Sequence, residues 1–252
     1  MSTSTSPRRN RVVIAVAGTV LAGSLGLGAV SLTGGGDGRP AAGSPAASSS
    51  ASSSASPAPS GDAVKMPDQA RRQAGDPRAL GRADAPVVLV EYADFQCPFC
   101  GKFARDVQPK LMKYVDDGTL RVEWRDFPIF GAESQAAARA GQAAASQGRF
   151  WEFHRVAYAE DRKRNSGAFT TEKLVEIARE AGVPDLAKFR ADIGGAAARE
   201  AVERDSEEGY GLGVPSTPAF LVNGQPVLGA QPYGAFEAAI ERAAEIAEKE
   251  GQ

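Results

Sequence analysis

Cys97-Pro98-Phe99-Cys100 places the two cysteines of the chain three residues apart, at a point where the character of the sequence changes. Before it, Val87-Val88-Leu89-Val90-Glu91-Tyr92 is rich in β-branched residues and too short for a helix, which predicts a buried strand. After it, Phe99, Phe103, Val107, Leu111 and Val115 recur every four residues and predict a helix with one apolar face, kinked at Pro109. A C-x-x-C between strand and helix points to redox chemistry. The first thiol sits where unpaired amides and the helix dipole favour a thiolate, and the second lies one turn below, within bonding distance. Pro98 suits the first helical turn, where its missing N–H is no loss. Other roles fit less well. A crosslink at i, i+3 closes a loop too small to constrain the unfolded chain much, and a zinc site would need partners where only His154 remains.

Composition narrows the classes. With 252 residues and a net charge of -2, nothing points to nucleic acid as a partner. Two Cys exclude a disulfide-stapled scaffold. The N-terminal quarter stands apart. Residues 1–11 are basic, with Arg8, Arg9 and Arg11, and residues 12–32 form an uncharged stretch with 14 of 21 positions Ala, Val, Ile or Leu. A helix of that length rises about 31 Å, close to the hydrocarbon thickness of a bilayer. This favours an uncleaved transmembrane anchor over a cleaved signal, and either reading exports the remainder, with the arginines kept inside. Ala41 to Ser60 holds only Ser, Ala, Pro and Gly, so residues 33–65 are expected to be a disordered tether. Residues 66–252, with a net charge of -5, read as one folded domain.

Within that domain Leu120 to Trp124 predicts a second strand, and residues 132–208 a block of helices interrupted near 165–167 and 182–184. Ala219-Phe220-Leu221-Val222, the pair Asn223-Gly224 and Val227-Leu228 predict a hairpin. A closing amphipathic helix over 233–250 carries Phe236, Ala239, Ile240, Ala243, Ile246 and Ala247 on one stripe. His154, Trp124 and Trp151 read as packing residues. Glu91 fits an exposed or a buried position equally well by itself.

Four features together resemble the thioredoxin-like thiol-disulfide oxidoreductases, and among them the exported DsbA-like group. They are the strand running into Asp94-Phe95-Gln96-Cys97-Pro98-Phe99-Cys100, Glu91 six residues before Cys97, Arg125-Asp126-Phe127-Pro128 after the second strand, and Val214-Pro215-Ser216-Thr217-Pro218 before the hairpin. The resemblance covers roughly 85–248. It implies an α/β thioredoxin-like fold with a helical insertion over about 132–208, preceded by the membrane segment and linker. It further implies a cis Pro218 facing the Cys pair, a buried Glu91 relaying protons to Cys100, and Thr217, Pro98 and Phe99 in contact with substrate.

The resemblance also implies the reaction: thiol-disulfide exchange at the Cys97–Cys100 pair, with no dissociable cofactor, on exported proteins bearing thiols or disulfides. A membrane quinone-linked reoxidase would return the pair to the disulfide. Because Phe99 offers the thiolate neither charge nor a hydrogen bond, the reduction potential is expected between about -270 and -120 mV. Two alternatives stay open: a disulfide isomerase or reductase working in the opposite direction, and a thioredoxin-fold chaperone or binding module that does not need the Cys pair.

Overall fold

The computed structural model describes residues 67–251; the expected membrane segment 12–32 and linker 33–65 lie outside them. Five strands, β1 (Ala79–Leu80), β2 (Val87–Ala93), β3 (Leu120–Asp126), β4 (Ala219–Val222) and β5 (Gln225–Leu228), form one sheet in the order β1-β3-β2-β4-β5. Only β2 and β3 run parallel, joined by the crossover α1 (Pro98–Asp106) and α2 (Gln108–Asp116). Between β3 and β4 lie α3 (Ala132–Ala145), α4 (Phe150–Ala157), α5 (Thr171–Glu180), α6 (Leu186–Ile193) and α7 (Ala196–Gly211), and α8 (Tyr233–Glu250) closes the chain.

Strand alternation sorts the side chains of β2 onto two faces. Val87 and Leu89 pack with Phe103, Leu111, Val122, Phe220, Phe236 and Ile240 under α1, α2 and α8. Val88, Val90 and Tyr92 pack with Phe127, Ala219 and Leu221 on the other face. Glu91 shares the parity of Val87 and Leu89, so it is directed to the α1 side of the sheet. A third cluster, centred on Phe95, Trp124, Phe153 and Phe189, is the core of the helical insertion and reaches Cys97 and Cys100.

β3 carries charge where a core strand ordinarily carries aliphatics: Arg121, Glu123 and Arg125 are all buried. Their parity places them on one face, where they are mutually satisfied. Glu123 accepts from Arg121 Nε at 2.7 Å, from Arg125 Nη2 at 2.9 Å, and from the backbone amides of Arg71 and Arg72 at 2.9 and 2.8 Å. Arg71 and Arg78 bind Asp205 of α7 at 2.7 and 2.8 Å, and Arg125 binds Glu208 at 3.0 Å. The segment before β1 is thereby fastened to β3 and α7, a role that the polar string Gln69 to Asp76 does not advertise. The strand β1 itself is too short to show any alternation.

Several sequence-based expectations are corrected. The long helix kinked at Pro109 is two helices meeting at Val107, with Pro109 inside the first turn of α2. Pro109 has no N–H for the carbonyl of Arg105 and its ring crowds that carbonyl, so the helix must end one turn earlier. Phe99 is off the apolar face, 60% exposed. Ile246, assigned to the buried stripe of α8, is 49% exposed, the stripe in contact with the sheet being Phe236, Ile240 and Ala243. The helical block also breaks at residues 146–149 and at Gly194-Gly195, and extends to Gly211. Asn223 and Gly224 turn the hairpin with φ of 45° and 80°, as its sequence requires.

Candidate active site

The loop from β2 into α1 is built around Asp94. Its Oδ1 accepts from the Gln96 amide and the Ser134 hydroxyl, both at 2.7 Å, and its Oδ2 from the amides of Ile129 and Phe130 at 2.7 and 3.2 Å. The Asp94 carbonyl accepts from the Cys97 amide at 2.9 Å and from the Tyr158 hydroxyl at 2.8 Å. This leaves Cys97 as the N-cap of α1 in extended geometry, with Pro98 opening the helix. Cys97 is 2% exposed and Cys100, one turn on, is 0% exposed, whereas Pro98 and Phe99 face solvent.

The facing loop comes from the segment before β4. The Thr217–Pro218 bond is cis. Cys97 Sγ donates to the Thr217 carbonyl at 3.2 Å, and the Pro218 carbonyl accepts from Gly229 at 2.9 Å. The Thr217 hydroxyl is buried with no partner among the described residues, so it is available to donate to the sulfur once the proton leaves. All seven residues singled out from the sequence therefore fall in one place: Cys97, Cys100, Pro98 and Phe99 at the start of α1, Thr217 and Pro218 opposite, and Glu91 below on β2.

The two thiols are electrostatically unlike. The Cys97 thiol is lowered to about 6, first by donation from the Cys100 thiol, then by Thr217 and by the amides of Cys100 and Phe99, against the opposing effect of burial. Burial drives the Cys100 thiol well upward, and the neighbouring Cys97 and Glu91 charges add to that. Burial likewise raises the Glu91 carboxyl to about 8, with the Cys97 thiolate adding to it. Neither carboxyl oxygen of Glu91 has a hydrogen-bond partner among the described residues. A buried acid left unpaired is a stability cost.

Sequence reasoning missed Asp94, Gln96 and Tyr158 as the groups that hold the loop. Asp94 and Gln96 were visible within the motif, but their partners come from α3, the loop before it and the connection after α4, far along the chain. Tyr158 had no local signal at all. His154 is, as expected, a packing residue: it is 3% exposed among Phe95, Trp124, Phe150, Trp151 and Tyr158. Burial lowers its imidazole to about 3, so it stays neutral.

The thioredoxin family model matches residues 73–242. A probable disulfide bond formation protein D from Bacillus anthracis is 34% identical over 152 residues, covering 58% of this chain and 70% of that protein. A Na+/H+ antiporter NhaA 3 from Salinispora tropica is 32% identical over 163 residues, but the match spans only 24% of the antiporter and 64% of this chain. Among solved structures, oxidised BdbD from Bacillus subtilis superposes with a TM-score of 0.66 at 24% identity, covering 73% of this chain and 100% of that one, a likeness of fold.

Proposed function

The chain belongs to the thioredoxin family as a homologue of disulfide bond formation protein D, and from that premise we propose that it is an extracytoplasmic thiol-disulfide oxidoreductase that introduces disulfides into exported proteins. The observation that carries the reading is the asymmetry of the two thiols: Cys97 caps α1 with its Sγ 3.2 Å from the Thr217 carbonyl and its thiol lowered, whereas Cys100 is buried one turn behind it and pushed up.

In the oxidising direction a substrate thiolate attacks Cys97 Sγ of the Cys97–Cys100 disulfide, a mixed disulfide forms, and Cys100 leaves with the electron pair. A thiolate at Cys100 is costly in its apolar setting, and Glu91, mostly protonated near pH 7, supplies the proton. A second substrate thiolate then attacks the substrate sulfur of the mixed disulfide. Cys97 departs readily, because a low-pKa thiolate is the better leaving group. Thr217 and Pro218 line the approach, with the Thr217 hydroxyl donating to the departing sulfur. Pro98 and Phe99 are the exposed surface at the nucleophile against which a substrate chain rests. The apolar segment at 12–32 would keep the domain at the outer face of the membrane, near a quinone-linked reoxidase that restores the disulfide.

The oxidised protein should convert a dithiol peptide to its disulfide at one equivalent, and Cys97→Ser should abolish this. A chaperone would retain its effect on refolding in that variant. Thiol trapping in intact cells tests direction: a mostly oxidised pair supports the oxidase, and a mostly reduced one overturns it in favour of an isomerase or reductase.

A further inference from the structure

The connection between α4 and α5 passes beside the nucleophile and carries Glu160-Asp161-Arg162-Lys163-Arg164. Its first charges are paired: Arg162 with Glu160 at 2.7 Å, and Asp161 with Arg105 of α1 at 2.6 Å. Arg164 is exposed and has no ion pair among the described residues. It is nevertheless held in place. Its guanidinium carbon lies 3.5 Å from the centre of the Phe130 ring, and its Nε donates at 3.4 Å to the carbonyl of Gln96, the residue before Cys97.

The backbone beneath it is pinned to the same loop. Asn165, at a φ of 51°, donates its amide to Gln96 Oε1 at 2.7 Å and accepts from Gln96 Nε2 at 3.3 Å. Glu133 takes the amides of Gly167 and Phe169 at 2.8 and 3.0 Å. A guanidinium stacked on a ring keeps most of its N–H donors free, in a planar fork suited to a carboxylate. Side-chain entropy that a free arginine would lose on binding is already lost here. An unpaired, oriented cation in contact with the residue before Cys97, in a domain of net charge -5, has a natural partner in the incoming chain.

We propose that Arg164 is a specificity-determining residue that favours substrate segments carrying a carboxylate beside the cysteine to be oxidised. This rests on the exchange reaction above and adds a substrate class to it. Each turnover takes two electrons and two protons from the substrate: two S–H bonds are lost and one S–S forms, while the Cys97–Cys100 S–S breaks and two thiols replace it.

The test uses the oxidised full chain with two dithiol peptides that differ only in Asp or Lys flanking each Cys, their oxidation followed by acid quench and mass spectrometry. The acidic-to-basic rate ratio, taken variant against wild type, cancels the intrinsic reactivity of the peptides. It should fall about three- to tenfold in Arg164→Gln and further in Arg164→Glu, and fall less in Arg164→Lys, which keeps the charge but loses the stacked planar fork. It should also shrink toward 1 M salt, where the screening length is about 3 Å. A ratio equal in wild type and Arg164→Gln, or an equal slowing of both peptides, overturns the proposal. Oxidation of neither peptide by the wild type overturns the exchange reading itself, and the proposal with it.

Discussion

Cys97 and Cys100 differ in a single respect that their spacing cannot express: one caps a helix opposite Thr217 and the other is turned into the core. Alkylation of the reduced protein should therefore modify Cys97 alone, with a rate that rises through a midpoint near pH 6. Peptide mapping that found Cys100 modified as fast would contradict the geometry. Glu91 carries the complementary prediction. Its carboxyl is raised from 4.5 to about 8 in the fold, so its contribution to stability is full below pH 4.5 and is lost as pH rises through 8. Glu91→Leu should stabilise the protein at pH 8 by about 1–3 kcal/mol, by removing an unpaired buried polar group, with a smaller gain at pH 4. It should also slow disulfide exchange. Urea titration at both pH values decides this, and a variant less stable at pH 8 than the wild type would refute it. The sequence placed Glu91 on a strand and its exposure was undetermined, because parity names a face only once the other layer is known.

Among the elements, those with a strong local signal were legible: β2 and β3 from short β-branched or apolar segments, the β4–β5 hairpin from Asn223-Gly224, and α8 from its apolar stripe. Where a single side chain overrides the period, legibility ended, as at Pro109, whose missing N–H divides one apolar stripe between α1 and α2. Gly209 in α7 is a comparable case. A Cβ there would lie 2.8 Å from two carbons of the Phe127 ring and 3.2 Å from Tyr92 Cδ1. Gly→Ala in a helix interior ordinarily gains about 1 kcal/mol, whereas overpacking a filled site costs about 1–3 kcal/mol. Since Phe127 is itself buried and Tyr92 crowds the same point, the second effect should win. Gly209→Ala is expected to lower the melting temperature, and a higher one would show that the ring can move aside.

At the scale of the whole molecule, two buried groups contribute to the acid limit of stability. Glu123 is held down to about 2, burial alone raising it but Arg121, the Arg71 amide and Arg125 more than reversing that. His154 is lowered from 6.5 to about 3 by burial. Both folded values are depressed, so the stability they contribute is present above the unfolded values and is lost as pH falls, from 6.5 to 3 for His154 and from 4.5 to 2 for Glu123. Each slope approaches about 1.4 kcal/mol per pH unit. His154→Leu should flatten the upper part of this limb. Glu123→Gln should cost about 3–5 kcal/mol at neutral pH, because it leaves the buried Arg121 without a carboxylate and Arg125 with Glu208 alone. Chemical denaturation across pH 3 to 8 checks both, and an unchanged slope between pH 6 and 4 in His154→Leu would exclude the histidine as its source.

The strand, the helix start and the two thiols at fixed spacing are local properties, so the sequence by itself determined the α/β class, the Cys-x-x-C pair at the start of α1 and the hairpin that follows Pro218. Only the tertiary structure decided which thiol is exposed to donors, that Glu91 is buried and unpaired, and that Asp94, Tyr158, Gln96 and Arg164 converge on one loop. Those properties depend on burial and on partners up to 120 residues apart. Neither is written in any short window of the chain, because both arise only when the helical insertion packs against the sheet.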